Sequence, residues 1–268
     1  MSDLLNRTMR LVEETGVAQN DVFGQNFLVD ENIINFEVEE AGLSSNDIVL
    51  EIGAGFGSVL DEIIKKSRAI AVEKDVKMFS YLINKYELND RVKLINADIL
   101  KMIIPYFNKV ISNPPYPIVD RILNKLTHYE FESGIMILPN TISQRLSSEK
   151  VSNKFTLVQN AFFKFLPIMD VPKQAFYPVP RVTSKMVKII RKDKDFLQSV
   201  LLKDDMTVKN ALLRTQQTAF NKTKRESKTY FNGLDVSSLP FKDKEVKKLN
   251  VNELSDLIQY IKENYSSQ

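Results

Sequence analysis

The sequence has no cysteine and a single histidine, His128, among 268 residues. Without thiols there is no disulfide, no thiolate nucleophile and no cysteine-held zinc. One imidazole cannot build a histidine-rich metal site, and a Ser-His-Asp hydrolase would rest on His128 alone. That residue lies in "LTHYEFES", which reads as the exposed end of a helix. Long apolar runs are missing as well. No stretch of eighteen such residues occurs, so no membrane-spanning helix is expected. The opening "MSDLLNRTMRLVEETG" has early acids and no apolar centre, and does not read as a signal peptide. These absences argue against a metal site, a membrane span and a signal peptide; a cytoplasmic monomer is the expectation.

The hydrophobic content of 43% is enough for a substantial core. Net charge is only +3, but its distribution is uneven. Residues 1–183 hold 20 Lys/Arg against 23 Asp/Glu, whereas residues 184–268 hold 17 against 11. A near-neutral body with a basic appendage suits a polyanion partner, and a solvated lysine-rich surface is the plain alternative.

Along the chain, apolar strands alternate with helical patterns. "DENIINFEVEEAG" (30–42) reads as a helix with Asp30 as its cap. Ile48–Ile52, "RAIAVEKD", "RVKLINAD", "NKVISN" and "SGIMILP" read as five strands, with helices after the first, second and fourth and an acidic turn and connector after the third. That rhythm predicts a parallel sheet covered on both faces. "KFTLVQNAFFKFLPI" (154–168) and "VTSKMVKIIRK" (182–192) read as two β runs with no helix between them, an antiparallel hairpin-like addition at the sheet edge. Beyond Lys192 the pattern is helical and charged. The expected organisation is a Rossmann-like α/β catalytic domain over 1–190 and a small helical basic domain over 191–268.

"EIGAGFG" follows a strand and opens a helix. Gly53 and Gly55 permit a tight turn and close approach of a ligand to the backbone. The spacing is neither the dinucleotide fingerprint nor a phosphate loop. Glu73, beside Lys74, ends the second strand about twenty residues on, where a carboxylate can hold two ribose hydroxyls. Asp98 in "NADIL" can accept from an adenine amino group while the Ile99 N–H meets a ring nitrogen. An ion pair for Glu73 and a turn cap for Asp98 are the simpler alternatives. Adenosine joined to an amino acid fits better than a dinucleotide, which points to S-adenosylmethionine.

Residues 112–117, "SNPPYP", leave the fourth strand through two prolines that donate no N–H and fix the backbone. The loop is stiff and faces the same sheet edge. The Asn113 side-chain oxygen and the Pro114 carbonyl can grip the two hydrogens of a conjugated amine, and Tyr116 can stack on its ring. Methyl transfer from a sulfonium needs alignment more than a strong base. It also requires the base to be unstacked.

"SNPPY" looks like the motif of methyltransferases acting on planar amino groups. Together with "FGQNFLVD" (23–30), "EIGAGFG", "VEKD", "NADIL" and "VPKQAFYPVPRVTSKMVKI" (171–189), it resembles the rRNA adenine N6-dimethyltransferase family, the KsgA group. The resemblance implies dimethylation of two adjacent adenosines near the 3′ end of small-subunit rRNA, on free RNA or a pre-ribosomal small subunit, with S-adenosylmethionine as donor. It implies that Gln25, Asn26 and Leu28 cover the cofactor, that Asn113 also lies against it, and that Phe176 faces the target base opposite Tyr116. The chain departs from the family at Pro114, where leucine is usual, and at Pro139 and Thr141 after the fifth strand. A large-subunit rRNA adenine methyltransferase, a non-catalytic RNA-binding assembly factor on the same fold and a glutamine methyltransferase are the competing readings.

Overall fold

A computed structural model of the chain describes residues 3–17, 26–148, 153–219, 223, 225–226 and 239–265. The chain divides into two compact units, Met1–Ser147 with Lys164–Arg191, and Ser148–Phe163 with Lys192–Gln268.

The first unit is built on a seven-stranded sheet. Helix α1 (Asp3–Thr15) is followed by β1 (Phe27–Leu28) and α2 (Glu31–Glu40). Asp30 caps α2, its carboxylate accepting from the Asn32 and Ile33 amides. Then come β2 (Ile48–Ile52), α3 (Ser58–Lys66), β3 (Arg68–Glu73), α4 (Val76–Tyr86), β4 (Val92–Asn96), β5 (Lys109–Ser112), α5 (Val119–Leu126), β6 (Ser133–Pro139) and α6 (Asn140–Ser147). Two later strands, β7 (Phe163–Val171) and β9 (Ser184–Arg191), complete the sheet in the order β4-β3-β2-β5-β6-β9-β7. The first five strands in that order are mutually parallel, and β9 runs antiparallel to β6. Strand β2 lies at the centre of the five parallel strands with four of its five residues buried, as a largely apolar run covered on both faces should be. Val49, Leu60, Ile63, Ala71, Leu82, Ile111 and Ile135 form part of one continuous core cluster. His128 is exposed just beyond α5.

The apolar run at 154–168 is not one strand. Residues Lys154–Phe162 form helix α7, and the extended segment begins only at Phe163. Asn153 caps the helix by accepting from the Thr156 amide at 2.9 Å, and Thr156, Gln159 and Phe162 are buried at a helical spacing of three. A local cap and that periodicity outweigh the aromatic and β-branched content that suggested a strand. A second feature is non-local. Strand β1 pairs antiparallel with β8 (Phe176–Tyr177), Phe27 opposite Tyr177 and Leu28 opposite Phe176, so the "FGQNFLVD" and "FYPVP" blocks meet.

The second unit contains α7, α8 (Phe196–Leu201), α9 (Val208–Ala219) and α10 (Val251–Tyr265). Phe196 stacks on Tyr265 with centroids 4.3 Å apart, and Lys154 donates to the carbonyls of Val246 and Leu249.

Gly57 gives a local test of the β2–α3 turn. Its φ is +78°, and a Cβ there would lie 2.5 Å from the Tyr86 hydroxyl. That hydroxyl donates within the pocket formed by the Gly57 carbonyl and Asp61. Gly57→Ala is expected to destabilise the first unit by at least ~2 kcal/mol, from left-handed strain plus overlap. A urea midpoint equal to that of the wild type would show that the turn relaxes without cost.

Candidate active site

Because β4, β3, β2 and β5 are parallel and in register, the residues that follow them emerge at one edge of the sheet. In that order they present Asp98, Glu73, the glycine turn and Asn113. Neighbouring strands are ~4.8 Å apart, so the row spans about 15 Å, the length of an extended nucleoside carrying an amino-acid arm.

The turn after β2 is tied to β3. Gly53 and Ala54 donate to the Val72 carbonyl at 2.9 and 3.3 Å. Gly53, Gly55 and Gly57 all have positive φ, and Gly53 is exposed, with nothing within 4 Å of a notional Cβ. Phe27 closes over the turn. Its ring would lie 3.4 Å from a Cβ on Gly55 and packs on Phe56 at 5.1 Å between centroids.

Glu73 is buried, and it does more than end a strand. One carboxylate oxygen accepts from the Gly55 amide at 2.9 Å and the other from the Asp75 amide at 2.8 Å. Burial raises its pKa, and the two amides pull the other way. The carboxylate therefore links the glycine turn to the start of α4. Lone pairs remain on each oxygen for an incoming hydroxyl. Asp98 caps its own turn, accepting from the Leu100 amide at 3.0 Å, and pairs with exposed Lys74 at 3.1 Å. The Leu100 amide and then Lys74 hold the Asp98 carboxyl below its ordinary range. Ile99 is buried beside it.

At the other end of the row, Ser112 anchors the Asn-Pro-Pro-Tyr loop by donating to the Ile52 carbonyl at 2.9 Å. Pro114 is buried. Tyr116 is half-buried, and its hydroxyl shares a short hydrogen bond with Ser184. Burial raises the Tyr116 pKa, so the ring stays a neutral phenol. Ser184 stands opposite Pro139, the last residue of β6, in the β6–β9 register. Thr141 is exposed.

Asn113 is held from an unexpected direction. Its Nδ2 donates to Oε2 of Glu37 on α2 at 3.2 Å. Its Oδ1 is buried and has no partner among the described residues. Glu37 is 0% exposed, and burial lifts its carboxyl to about 8, the Asn113 bond working against that rise. A second buried acid, Glu51 on β2, is pushed well above the carboxylate range by burial and by the neighbouring Glu37. The sequence carries a signal for Glu37. It follows Ile33 and Ile34 and precedes Val38, so it lies on the buried stripe of α2.

The remaining expected site residues are distributed as follows. Leu28 and Phe176 are buried in the core cluster, Phe176 at 4% exposure, with Tyr177 partly buried against the same cluster. Asn26 is half-buried. Gln25 lies outside the described residues. No group of three His, Cys, Asp or Glu among the described residues is placed to hold a metal ion, and no described helix is long and apolar enough to cross a membrane.

Comparison with known proteins follows the same lines. A profile described as ribosomal RNA adenine dimethylase matches residues 16–263. A protein of Pyrococcus abyssi named probable ribosomal RNA small subunit methyltransferase A is 31% identical over 263 residues, covering 96% of this chain and 97% of that one. The protein of that name from Methanosarcina acetivorans is 35% identical over 178 residues, 65% of this chain and 66% of the other. Among solved structures, a dimethyladenosine transferase from Plasmodium falciparum superposes with a TM-score of 0.60 at 21% identity, over 87% of this chain and 96% of that one. The 23S rRNA methyltransferase ErmE gives 0.59 at 20%, over 83% and 96%. Both show the same α/β methyltransferase fold. The chain belongs to the ribosomal RNA adenine dimethylase family.

Proposed function

We propose that this protein uses S-adenosylmethionine to dimethylate the N6 amines of adjacent adenosines near the 3′ end of small-subunit rRNA, as a monomeric cytoplasmic enzyme of ribosome assembly. The observation that carries the reading is the Asn113 oxygen, buried without a donor among the described residues at the carboxyl edge of a parallel sheet. A buried carbonyl left without a partner costs about 1–3 kcal/mol, a cost that an incoming amine hydrogen offsets.

The residues fit the cofactor. Glu73 offers acceptors to ribose hydroxyls, Asp98 and Ile99 frame an adenine, and the open face at Gly53 admits the amino-acid arm. S-adenosylmethionine, when bound, supplies an electrophilic methyl group on a sulfonium. The chain's own work is to orient the nucleophile. For the first methylation Asn113 Oδ1 and the Pro114 carbonyl take the two amine hydrogens and favour a pyramidal nitrogen with its lone pair aimed outward. The monomethylated amine keeps one hydrogen, which one of the two acceptors holds for the second, and each methylation releases one proton to solvent. Tyr116, anchored through Ser184, supports the face of the unstacked base, and Phe176 with Tyr177 backs the opposite wall. Both acceptors are neutral, so they add no charge that would favour the cationic donor over the transition state. The basic segment 191–268, with its lysine and arginine excess, serves as the RNA-contacting domain through phosphate contacts.

Glu73→Ala is expected to weaken S-adenosylmethionine binding by about 10- to 100-fold, the loss of one charge-assisted acceptor together with the tie to Gly55. Saturating cofactor should recover much of the rate. Unchanged affinity by calorimetry would leave Glu73 a purely structural tie.

The function itself is tested with labelled S-adenosylmethionine and small subunits lacking the modification, followed by mapping of the labelled nucleotide. Label at paired adenosines near the 3′ end supports the reading. Label only in large-subunit RNA or in protein, or no label, rejects it.

A further inference from the structure

A primary carboxamide is nearly symmetric in shape, with an oxygen at one tip and an NH2 at the other. Only one orientation of Asn113 can accept a hydrogen from an amine; the other presents two donors to it. The Asn-Pro-Pro-Tyr loop fixes the backbone but does not choose between them. The acceptor oxygen of Glu37 favours the first: a carboxylate can only accept, and a neutral carboxyl still accepts through its carbonyl oxygen. Glu37 comes from a different element, 76 residues earlier in the chain, and its Oε2 takes the Asn113 Nδ2 at 3.2 Å. That bond turns the amide oxygen to the side where it has no partner among the described residues. The acid has no packing rationale, because it occupies a position on the apolar stripe of α2 between Ile33, Ile34 and Val38. An aliphatic side chain would fill that position without the desolvation penalty of a carboxyl.

We propose that Glu37 is a positioning residue for methyl transfer, holding the Asn113 carboxamide so that Oδ1 faces the target amine. This rests on the reading of Asn113 as the amine acceptor. The effect is on geometry at the reacting nitrogen, so it belongs in kcat and not in cofactor binding.

The test uses the full chain, small subunits lacking the modification and four variants: Glu37→Leu, Glu37→Gln, Asn113→Ala and the Glu37→Leu/Asn113→Ala double. Glu37→Leu should lower kcat by at least about tenfold with the cofactor Kd within about twofold, since the lost contact is a single orienting bond. Glu37→Gln keeps an oxygen for the Asn113 NH2 and should recover most of that loss. On the Asn113→Ala background, Glu37→Leu should add less than about twofold, because there is no amide left to orient. A Glu37→Leu loss that persists in full on that background would overturn the proposal and make Glu37 a general tether. So would a kcat within twofold of wild type for Glu37→Leu. A second readout needs no turnover. In protein carrying asparagine labelled with 15N in the side chain, the Asn113 NH2 signal should move on Glu37→Leu. A signal that moves on Glu37→Leu while the wild-type protein labels no RNA would reject the proposed function and leave the orienting bond in place. An unmoved amide in an active protein would reject the orienting bond alone.

Discussion

Replacing Asn113 with alanine is expected to lower turnover by at least ~100-fold, the effect of deleting one preorganised contact to a reacting group, while cofactor affinity stays within a few-fold. The size follows from what the substitution removes. Asn113 Oδ1 lies in a buried setting at the carboxyl edge, where a dipole acts with less screening than in water. The conjugated amine must lose planarity to attack, and a fixed acceptor lowers the cost of that change. Alanine leaves only the Pro114 carbonyl, which can hold one of the two hydrogens. It also deprives Glu37 of the donor that opposes its upward shift, so the variant's carboxyl should titrate higher still. Cofactor affinity should change little because Glu73, Asp98 and the glycine turn make their contacts elsewhere in the row. Single-turnover rates at saturating cofactor, with calorimetric Kd values alongside, check both halves. Near-normal methylation by the variant would remove Asn113 from the chemistry.

How much of this the sequence displays depends on the range of the interaction concerned. The parallel sheet shows because each strand is a short apolar run bounded by polar turns, and the glycine turn shows because positive φ selects a residue type. Glu73 is legible because it ends a strand, and Asp98 because it lies in the turn just beyond one. Their partners are not. That Glu73 would bind the Gly55 and Asp75 amides depends on β2 and β3 lying side by side in one particular register. The Tyr116–Ser184 bond and the β1–β8 pairing depend on contacts 68 or more residues apart, for which no local pattern exists. Glu37 is an intermediate case. Its place on the buried face of α2 can be read from the spacing Ile33, Ile34, Glu37, Val38, but its partner Asn113 cannot. Helix α7 illustrates a different limit. A short run such as "KFTLVQNAF" has the composition of a strand, and the Asn153 cap with burial at every third position decides the matter.

Glu37 should also make the protein lose stability as pH rises, and a leucine at that position should remove its share of the loss. The carboxyl is raised from an ordinary 4.5 to about 8 because folding removes it from water. Below about pH 4.5 it is protonated in both folded and unfolded chains, and its contribution to stability is fully present. Between that pH and about 8 the unfolded chain ionises while the folded one resists, so stability falls; above about 8 the loss is complete. At about 1.4 kcal/mol for each pH unit, the full loss is about 5 kcal/mol. Glu51 and Glu73 are raised too and act in the same direction, so the wild-type curve alone does not isolate Glu37. The difference between wild type and Glu37→Leu does. In the variant Glu51 also loses one of the groups that raise it, which adds to the flattening. Urea unfolding between about pH 5 and pH 9 should therefore show the variant gaining several kcal/mol on the wild type towards the alkaline end. Parallel curves would mean that the folded protein admits the charged carboxylate freely, against its complete burial. A diverging pair, together with the lower kcat expected of the same variant, would identify an acid that is maintained against the stability of the fold because it orients Asn113.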